Sequence, residues 1–436
     1  MRKHMLQWLL LVFFMLLFLP VTGQARETEP ALWPKEPSLR VGILTGQQSV
    51  QITADANFEL VNAGTNKTVK SFRAYEKVTI SDKGNGFSIN GMPVAANSIH
   101  VVLKNKDVMV SIKQYAHVNN RRYRGDISIL RPAGKSGMTV VNTLPVEEYV
   151  YGIIKHEISP EWAMEAVKAQ AVAARTYALA SSNKHKADGF DVCATTDCQV
   201  YGGLESETPR ALQAVDATRG LVLFHSGKLI TAYFHSSSGG HTENSENVWS
   251  SPLPYLKGVA DFDQDCPYFK WEKKLTIAEL NQAVSRAGYN IGRLQAIELS
   301  PLGNPPAASN DRGVSGRVKH VRLLGTNGSV QITGAKMRTM LDLKSTLFDI
   351  TTAAAQPVFA GKKSVRTQLS QSSIRPVAGE SADFVIINGS GWGHGLGLSQ
   401  WGAKAMAEKA PPGNTEYFKE ILKHYYQGVE IKKAYI

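Results

Sequence analysis

His156-Glu157-Ile158-Ser159-Pro160-Glu161-Trp162 runs directly into the alanine-rich segment Ala163 to Ala180, and the reading of this stretch decides the architecture. Ser159 suits an N-cap, Pro160 suits a first helical position where its missing N–H has no partner, and the alanines carry the helix onward. The spacing therefore predicts a helix that opens at Ser159-Pro160, with Glu157 just outside its N-terminus. Met164, Val167, Ala171, Ala174 and Ala178 recur three and four apart, a narrow apolar stripe whose small side chains allow close packing inside a domain. Lys168 and Arg175, seven apart, share another face.

A carboxylate at a buried helix start can serve two purposes. It can offset the positive end of the helix dipole, a contribution of about 0.3 to 1 kcal/mol. It can also be a general acid. Ile153, Ile154, Ile158 and Trp162 put apolar groups around Glu157, and desolvation raises a carboxyl pKa towards the range in which it donates a proton at neutral pH. Dipole and burial act in opposite directions, and spacing leaves both roles open.

Further blocks stand on either side. Leu144-Pro145-Val146-Glu147-Glu148-Tyr149-Val150 precedes Glu157, and Glu165-Ala166-Val167-Lys168-Ala169-Gln170-Ala171-Val172-Ala173-Ala174-Arg175-Thr176-Tyr177 follows it. Then come Thr195-Thr196-Asp197-Cys198-Gln199-Val200-Tyr201-Gly202-Gly203, His235-Ser236-Ser237-Ser238-Gly239-Gly240-His241-Thr242 and Pro254-Tyr255-Leu256-Lys257-Gly258-Val259. The last block is Gly391-Trp392-Gly393-His394-Gly395-Leu396-Gly397-Leu398-Ser399-Gln400-Trp401-Gly402-Ala403. In this order they resemble the SpoIID/LytB family of bacterial cell-wall proteins, which comprises stage II sporulation protein D and the amidase enhancer LytB. The resemblance covers the chain from about Tyr123 to its end.

In the sporulation branch this resemblance implies a lytic transglycosylase that cleaves the β-1,4 bond of peptidoglycan, with one catalytic glutamate corresponding to Glu157. The family more often has Met where Ile158 stands, a change that keeps the apolar wall. On this reading Lys168, Arg175, Tyr177, Tyr201, His235, Ser236, Ser237, Gly239, Gly240, His394 and Gln400 position glycan and stabilise charge. No cofactor is required for such chemistry. LytB-type relatives imply the alternative, a non-catalytic glycan binder that enhances an N-acetylmuramoyl-L-alanine amidase. Some members hold zinc with His and Cys near Cys193 and Cys198, but here the nearest upstream histidine is His185 and the ligand set is incomplete in sequence. A local disulfide between these two cysteines is the other reading, and with Cys266 the chain has too few for a disulfide scaffold.

The start of the chain reads as an export segment. Arg2, Lys3 and His4 precede an apolar run from Met5 to Leu19, and Gly23-Gln24-Ala25 suits cleavage, although the run also fits a retained membrane anchor. The remainder is expected outside the cytoplasm, in the cell envelope. Removing residues 1–25 leaves a formal charge of +10, which suggests anionic wall polymers or the membrane surface as partners; no basic run is dense enough for nucleic acid. Residues 26–38 read as a linker, 39–120 as a β-rich module of short alternating strands, and 121–436 as the family core with a surface insertion at 351–383. Strands followed by helices and then further strands predict an α+β fold.

Two loops carry open readings. His235 to Gly240 offers hydroxyls to sugar, or is a Gly-Ser turn that satisfies its own backbone. From Gly389 to Leu398 glycine alternates with other residues, which in an extended strand leaves one face bare for a neighbouring strand or for a glycan. Ser399 is then expected to cap a helix from Gln400 to Lys409, and His394 is a polar group on the strand's other face. Trp249 and Tyr255 are either sugar-stacking rings or core. His235, His241 and Glu243 lack zinc-hydrolase spacing, and the serines lie outside any Gly-x-Ser-x-Gly elbow.

Overall fold

A computed structural model describes residues 32–104, 110–114, 120–353, 373–377 and 384–435. The expected export segment and most of the 351–383 stretch lie outside these residues. Among the described residues no helix is long and apolar enough to cross a membrane.

The architecture is α+β, built on the helix Met164–Ala180. This central helix begins at Met164, not at Pro160, with Ala163 as an N-cap that has no side-chain bond. Tertiary hydrogen bonds override the local signal. Arg210 donates through Nε to the Pro160 carbonyl (2.8 Å) and through Nη2 to the Trp162 carbonyl (3.0 Å), holding 160–162 as a loop. Ser159 accepts from Glu161 N and Trp162 N, closing a turn in that loop. The helix is also buried on every face from Glu165 to Leu179, where the spacing predicts one stripe. A helix so enclosed packs as a core element, and alanine lets its neighbours approach from all sides.

Enclosure forces its polar residues to find internal partners. Arg175 and Glu147 are both fully buried, paired at 2.6 Å through Nη2 and 3.0 Å through Nε. Glu147 also accepts from Gly220 N at 2.8 Å and from the Tyr435 hydroxyl at 2.6 Å, while Arg175 donates to the Leu221 and Val215 carbonyls. One ion pair thus ties together the helix Val146–Tyr151, the central helix, the 215–221 turn and the end of the chain.

The N-terminal strands form two sheets. A seven-stranded sheet runs Val192–Cys193, Ser38–Gln47, Met138–Pro145, Asp126–Leu130, Ser98–Leu103, Phe58–Asn62, Lys67–Phe72. Ser38–Gln47 pairs antiparallel with Met138–Pro145, Leu39 opposite Leu144, and parallel with Val192–Cys193, Gly42 opposite Cys193. The boundary expected near 120 therefore does not separate two cores: a single apolar cluster extends from Leu39 through the central helix to Tyr435. The described part of the expected linker is docked as well, with Trp33 N on the Ala434 carbonyl (2.8 Å) and Glu36 accepting from Glu147 N (3.0 Å).

A second apolar cluster, from Leu280 to Ile387, lies inside the span expected as one family core. It joins the sheet Lys270–Thr276, Phe384–Ser390, Phe348–Ala353 to the sheet Gly328–Thr333, His320–Gly325, Leu294–Glu298, Ile374–Pro376, with the helices Ile277–Arg286 and Gly334–Met340. Ile374–Pro376, inside the stretch expected as a surface insertion, is a paired strand of this unit.

Breaking the Glu147–Arg175 pair from one side leaves a buried charge uncompensated. Arg175→Ala or Glu147→Ala should cost about 3–5 kcal/mol, read as a lowered midpoint of chemical denaturation. The apolar double substitution Glu147→Leu with Arg175→Met should recover much of that loss.

Candidate active site

Glu157 stands on the wall of a cleft of about 760 Å³. It is the last residue of a single helical turn, Ile154–Glu157, which Ile158 ends by turning extended. Because the central helix starts at Met164, Glu157 does not sit at its N-terminus, and the dipole that would have held its proton off is absent. Burial is left as the main influence. It pushes the carboxyl pKa up to about 7, opposed only by a hydrogen bond from the Val200 backbone.

Aromatic rings build another part of the wall. Tyr177 reaches the cleft from the last turns of the central helix, Phe234 from the short strand Phe234–His235, Trp249 from the end of the helix Ser245–Trp249, and Tyr233 and His394 from loops. Tyr233 and Trp249 pack with ring centroids 4.3 Å apart, Trp249 and His394 at 5.1 Å, and Tyr177 and Tyr233 at 5.8 Å. Trp249 stays 42% exposed, whereas Tyr255 is buried and its hydroxyl accepts from Thr231 N. The open alternative for these two rings thus divides: Trp249 faces the cleft and Tyr255 belongs to the core.

His394 accepts from Leu396 N on Nδ1 at 3.0 Å. Burial, then Arg317 and Arg338, hold its pKa down to about 3, so it is a neutral imidazole at physiological pH with its proton on Nε2. It is a polar group that cannot act as an acid, and its remaining proton is engaged by the Phe234 backbone. Two carboxylates line the cleft, Glu157 and Asp197. Lys184 pairs with Asp197 at 3.1 Å and His185 Nε2 lies 3.1 Å from it, so Asp197 is held ionised while Glu157 has no cation beside it. Asp197, Lys184, Tyr233 and Phe234 were not picked out by the sequence reading. Asp197 lies within the Thr195 to Gly203 block, the one signal that pointed to it.

Several other residues expected to hold glycan lie away from the cleft. Arg175 is fully engaged with Glu147, and Lys168 is paired with Glu165 at 2.8 Å and donates to the Thr415 carbonyl. Tyr201 is buried, its hydroxyl on Asn142 at 2.9 Å. Gln400 is buried against Gln170. In the serine-rich loop, Ser237 donates to Asp263, Ser238 to Asp261, and Gly239 N and Gly240 N to Asp263 at 2.8 Å. The Ser236 carbonyl accepts from Trp401 N, and buried His235 contacts the Leu396 carbonyl at 3.1 Å through Nδ1. These donors go to Asp261 and Asp263 on a separate segment, so the loop is neither open to sugar nor closed on its own backbone, and among the described residues buried His235 Nε2 has no hydrogen-bond partner. Glu157 and His394 line the same cleft, and the serine-rich loop is not part of its lining.

The glycine-alternating stretch is not an extended strand beyond Ser390. Gly391, Gly393, Gly395 and Gly397 all have positive φ, between 66° and 115°, which breaks the regular pleat. The bare side is covered by the protein itself: a Cβ on Gly395 would lie 2.1 Å from Arg317 Nε, and one on Gly397 2.1 Å from the Tyr233 carbonyl. The helix after it, Gln400–Glu408, is capped by Ser399 as expected, Oγ accepting from Gly402 N at 3.3 Å.

Beside the cleft, one ligand atom from each of His185, Cys193, Asp197 and Cys198 falls within 4.8 Å of the others. Asp197, next to Cys198 in sequence, adds a carboxylate to the His and Cys groups. The sheet supplies the convergence by fixing Cys193 against Gly42. The cysteines are free thiols, and Cys193 is pushed towards thiolate by a hydrogen bond with Cys198. Two sulfurs, an imidazole and a carboxylate make a donor set that fits zinc.

The Glu157 titration has a sign in stability. Its folded pKa, about 7, lies above the unfolded value near 4.5, so the native state holds the extra proton between those two pH values. Its stabilising contribution is complete below pH 4.5 and lost as pH rises through 7. Glu157→Gln, which cannot ionise, should melt progressively higher than the parent as pH goes from 4.5 to 8.

The family model described as Stage II sporulation protein matches residues 134–225, and Domain of unknown function (DUF8618) matches 244–397, a span that includes much of the second apolar cluster. An uncharacterized protein of Brachyspira hyodysenteriae is 37% identical over 298 residues, covering 67% of this chain and 68% of that protein. The Amidase enhancer of Bacillus subtilis is 31% identical over 295 residues, 64% of this chain but 40% of its own length. Stage II sporulation protein D of Bacillus amyloliquefaciens is 30% identical over 319 residues, 70% of this chain and 78% of that protein. With a sporulation protein D matched at 30% identity over 78% of its length, this chain belongs to the SpoIID family.

Proposed function

We propose that the protein is a lytic transglycosylase of the cell envelope that cuts peptidoglycan glycan between N-acetylmuramic acid and N-acetylglucosamine. The observation that carries this reading is a desolvated carboxyl, Glu157, which pairs with no cation among the described residues and shares a cleft with aromatic rings, the other carboxylate there being held by Lys184. Ordinary glycosidases need two working carboxylates. A lytic enzyme needs one, because the sugar supplies its own nucleophile.

Glu157 in its protonated form donates to the glycosidic oxygen as the bond from that oxygen to C1 of the muramic acid breaks. The C6 hydroxyl of the same sugar then attacks C1, and the Glu157 carboxylate takes up its proton. The products are a free 4-hydroxyl and a 1,6-anhydro muramic acid, and Glu157 ends protonated. Tyr177, Tyr233 and Trp249 offer faces on which sugar rings can lie, and neutral His394 adds a polar wall without adding charge.

Incubating the purified protein with glycan strands, with and without stem peptides, should release anhydro-muramic acid products detectable by mass spectrometry. Glu157→Gln should lower that rate by at least about 10²-fold while glycan binding is retained. The rate, expressed as kcat/KM, should fall as pH rises above about 7, because the proton donor is then lost. The similarity to a protein named Amidase enhancer favours a second reading, in which the cleft holds glycan while a partner amidase acts. Stimulation of an N-acetylmuramoyl-L-alanine amidase with no anhydro product would favour that reading.

The His185, Cys193, Asp197 and Cys198 set is proposed to hold a structural zinc, a rivet on the loop whose Val200 backbone meets Glu157. Metal analysis should find one zinc per chain, and Cys198→Ser should lose it and lower the melting temperature. Zinc-free protein of unchanged stability would rule the rivet out.

A further inference from the structure

We infer that Trp392, Tyr268 and Lys344 form a second saccharide subsite, one that takes an acidic sugar of a glycan chain already seated in the cleft. The inference rests on the glycan reading above. Trp392 is 40% and Tyr268 38% exposed, and their rings meet edge to face with centroids 4.5 Å apart. The Lys344 ammonium stands 4.6 Å from the Tyr268 ring and 4.9 Å from the Trp392 ring. Among the described residues no carboxylate pairs with it. The group is an open corner with apolar walls and one uncompensated positive charge.

The corner is rigid. Trp392 and Ser237 exchange backbone hydrogen bonds of 2.8 and 3.1 Å, Gly391 N donates to the Phe269 carbonyl at 3.2 Å, and Gly393 N donates to the Lys344 carbonyl at 3.0 Å. Trp271 Nε1 adds a bond to the Gly391 carbonyl at 2.9 Å. Three separate chain segments are locked together to hold two aromatic rings in water, which burial alone does not explain. A preformed site loses little side-chain entropy on binding.

Its chemistry matches a sugar that carries a carboxylate. The indole and phenol faces suit the C–H faces of a pyranose, and the ammonium suits an acid such as the lactyl group of muramic acid or the carboxylate of an attached stem peptide. The place is also right: Trp392 is two residues from His394 in the cleft wall, at most about 7 Å along the backbone. A protein partner fits less well, since specific interfaces bury about 1,200–2,000 Å² and this corner is three side chains. The similar group of Trp162, Trp401 and Lys404 differs in that Lys404 is already paired with Glu408 at 2.7 Å.

The test measures binding in the Glu157→Gln background, where glycan stays intact, using a hexasaccharide of alternating N-acetylglucosamine and N-acetylmuramic acid and its uncharged counterpart, chitohexaose. Trp392→Ala should weaken both by about tenfold or more. Lys344→Gln should bring the acidic glycan down to the affinity of chitohexaose and leave chitohexaose unchanged. Binding of both glycans at parental affinity by Trp392→Ala and Lys344→Gln overturns the inference while the glycan reading stands. No binding by the Glu157→Gln protein itself overturns both. Should Trp392→Ala melt early, Tyr268→Ala and Lys344→Gln decide in its place. Parental glycan affinity together with loss of a partner amidase would make the corner a protein contact and overturn the inference.

Discussion

The ion pair of Glu147 and Arg175 is the constraint from which the rest follows. A fully enclosed central helix has no surface on which to leave a guanidinium in water, so Arg175 must be neutralised where it stands. Glu147 does so and, with its second oxygen, also takes Gly220 N and the Tyr435 hydroxyl. The helix Val146–Tyr151 is thereby fixed against the central helix, and the short turn that carries Glu157 follows it after two residues, Gly152 and Ile153. The position of the acid is set by a charge pair it does not touch.

The same enclosure accounts for the chemistry of the cleft. Taking a carboxyl out of water costs free energy unless it is protonated or paired, and Glu157 is given no cation. Asp197, on the same cleft, is given Lys184 and His185 and stays ionised. His394 is surrounded by apolar rings and lies near Arg317 and Arg338, which keeps it neutral. Two carboxyl groups and one imidazole are thus set in different protonation states by what surrounds them, which is how acid and base roles are commonly divided in a site.

Much of the fold was legible in the sequence, because its evidence is local. The alternating runs became the strands Ser38–Gln47, Ser49–Ala54, Val78–Asp82 and Ser98–Leu103, and Ser399 capped the helix it was expected to cap. What failed was non-local. Ser159-Pro160 is a sound helix start until Arg210, fifty residues away, binds the two carbonyls that hold it open. The glycine alternation reads as a strand until Arg317 and Tyr233 are found against the glycines. Cys193, Cys198 and His185 are joined in space by Asp197, a carboxylate that the spacing of His and Cys does not flag. Glu157, Tyr177 and His394 line one cleft, while Arg175, Lys168 and the serine-rich loop go to internal partners that spacing cannot reveal.

The account depends on the Glu157 carboxyl carrying a proton at neutral pH while facing open space. Carbon-13 labelling of glutamate side chains, with Glu157→Gln to assign the signal, lets its carboxyl resonance be followed directly through a pH titration. A midpoint near 7 is what burial without a cation predicts. A midpoint near 4.5, the value of an exposed glutamate, would contradict it and leave Glu157 an ordinary carboxylate with no proton to give.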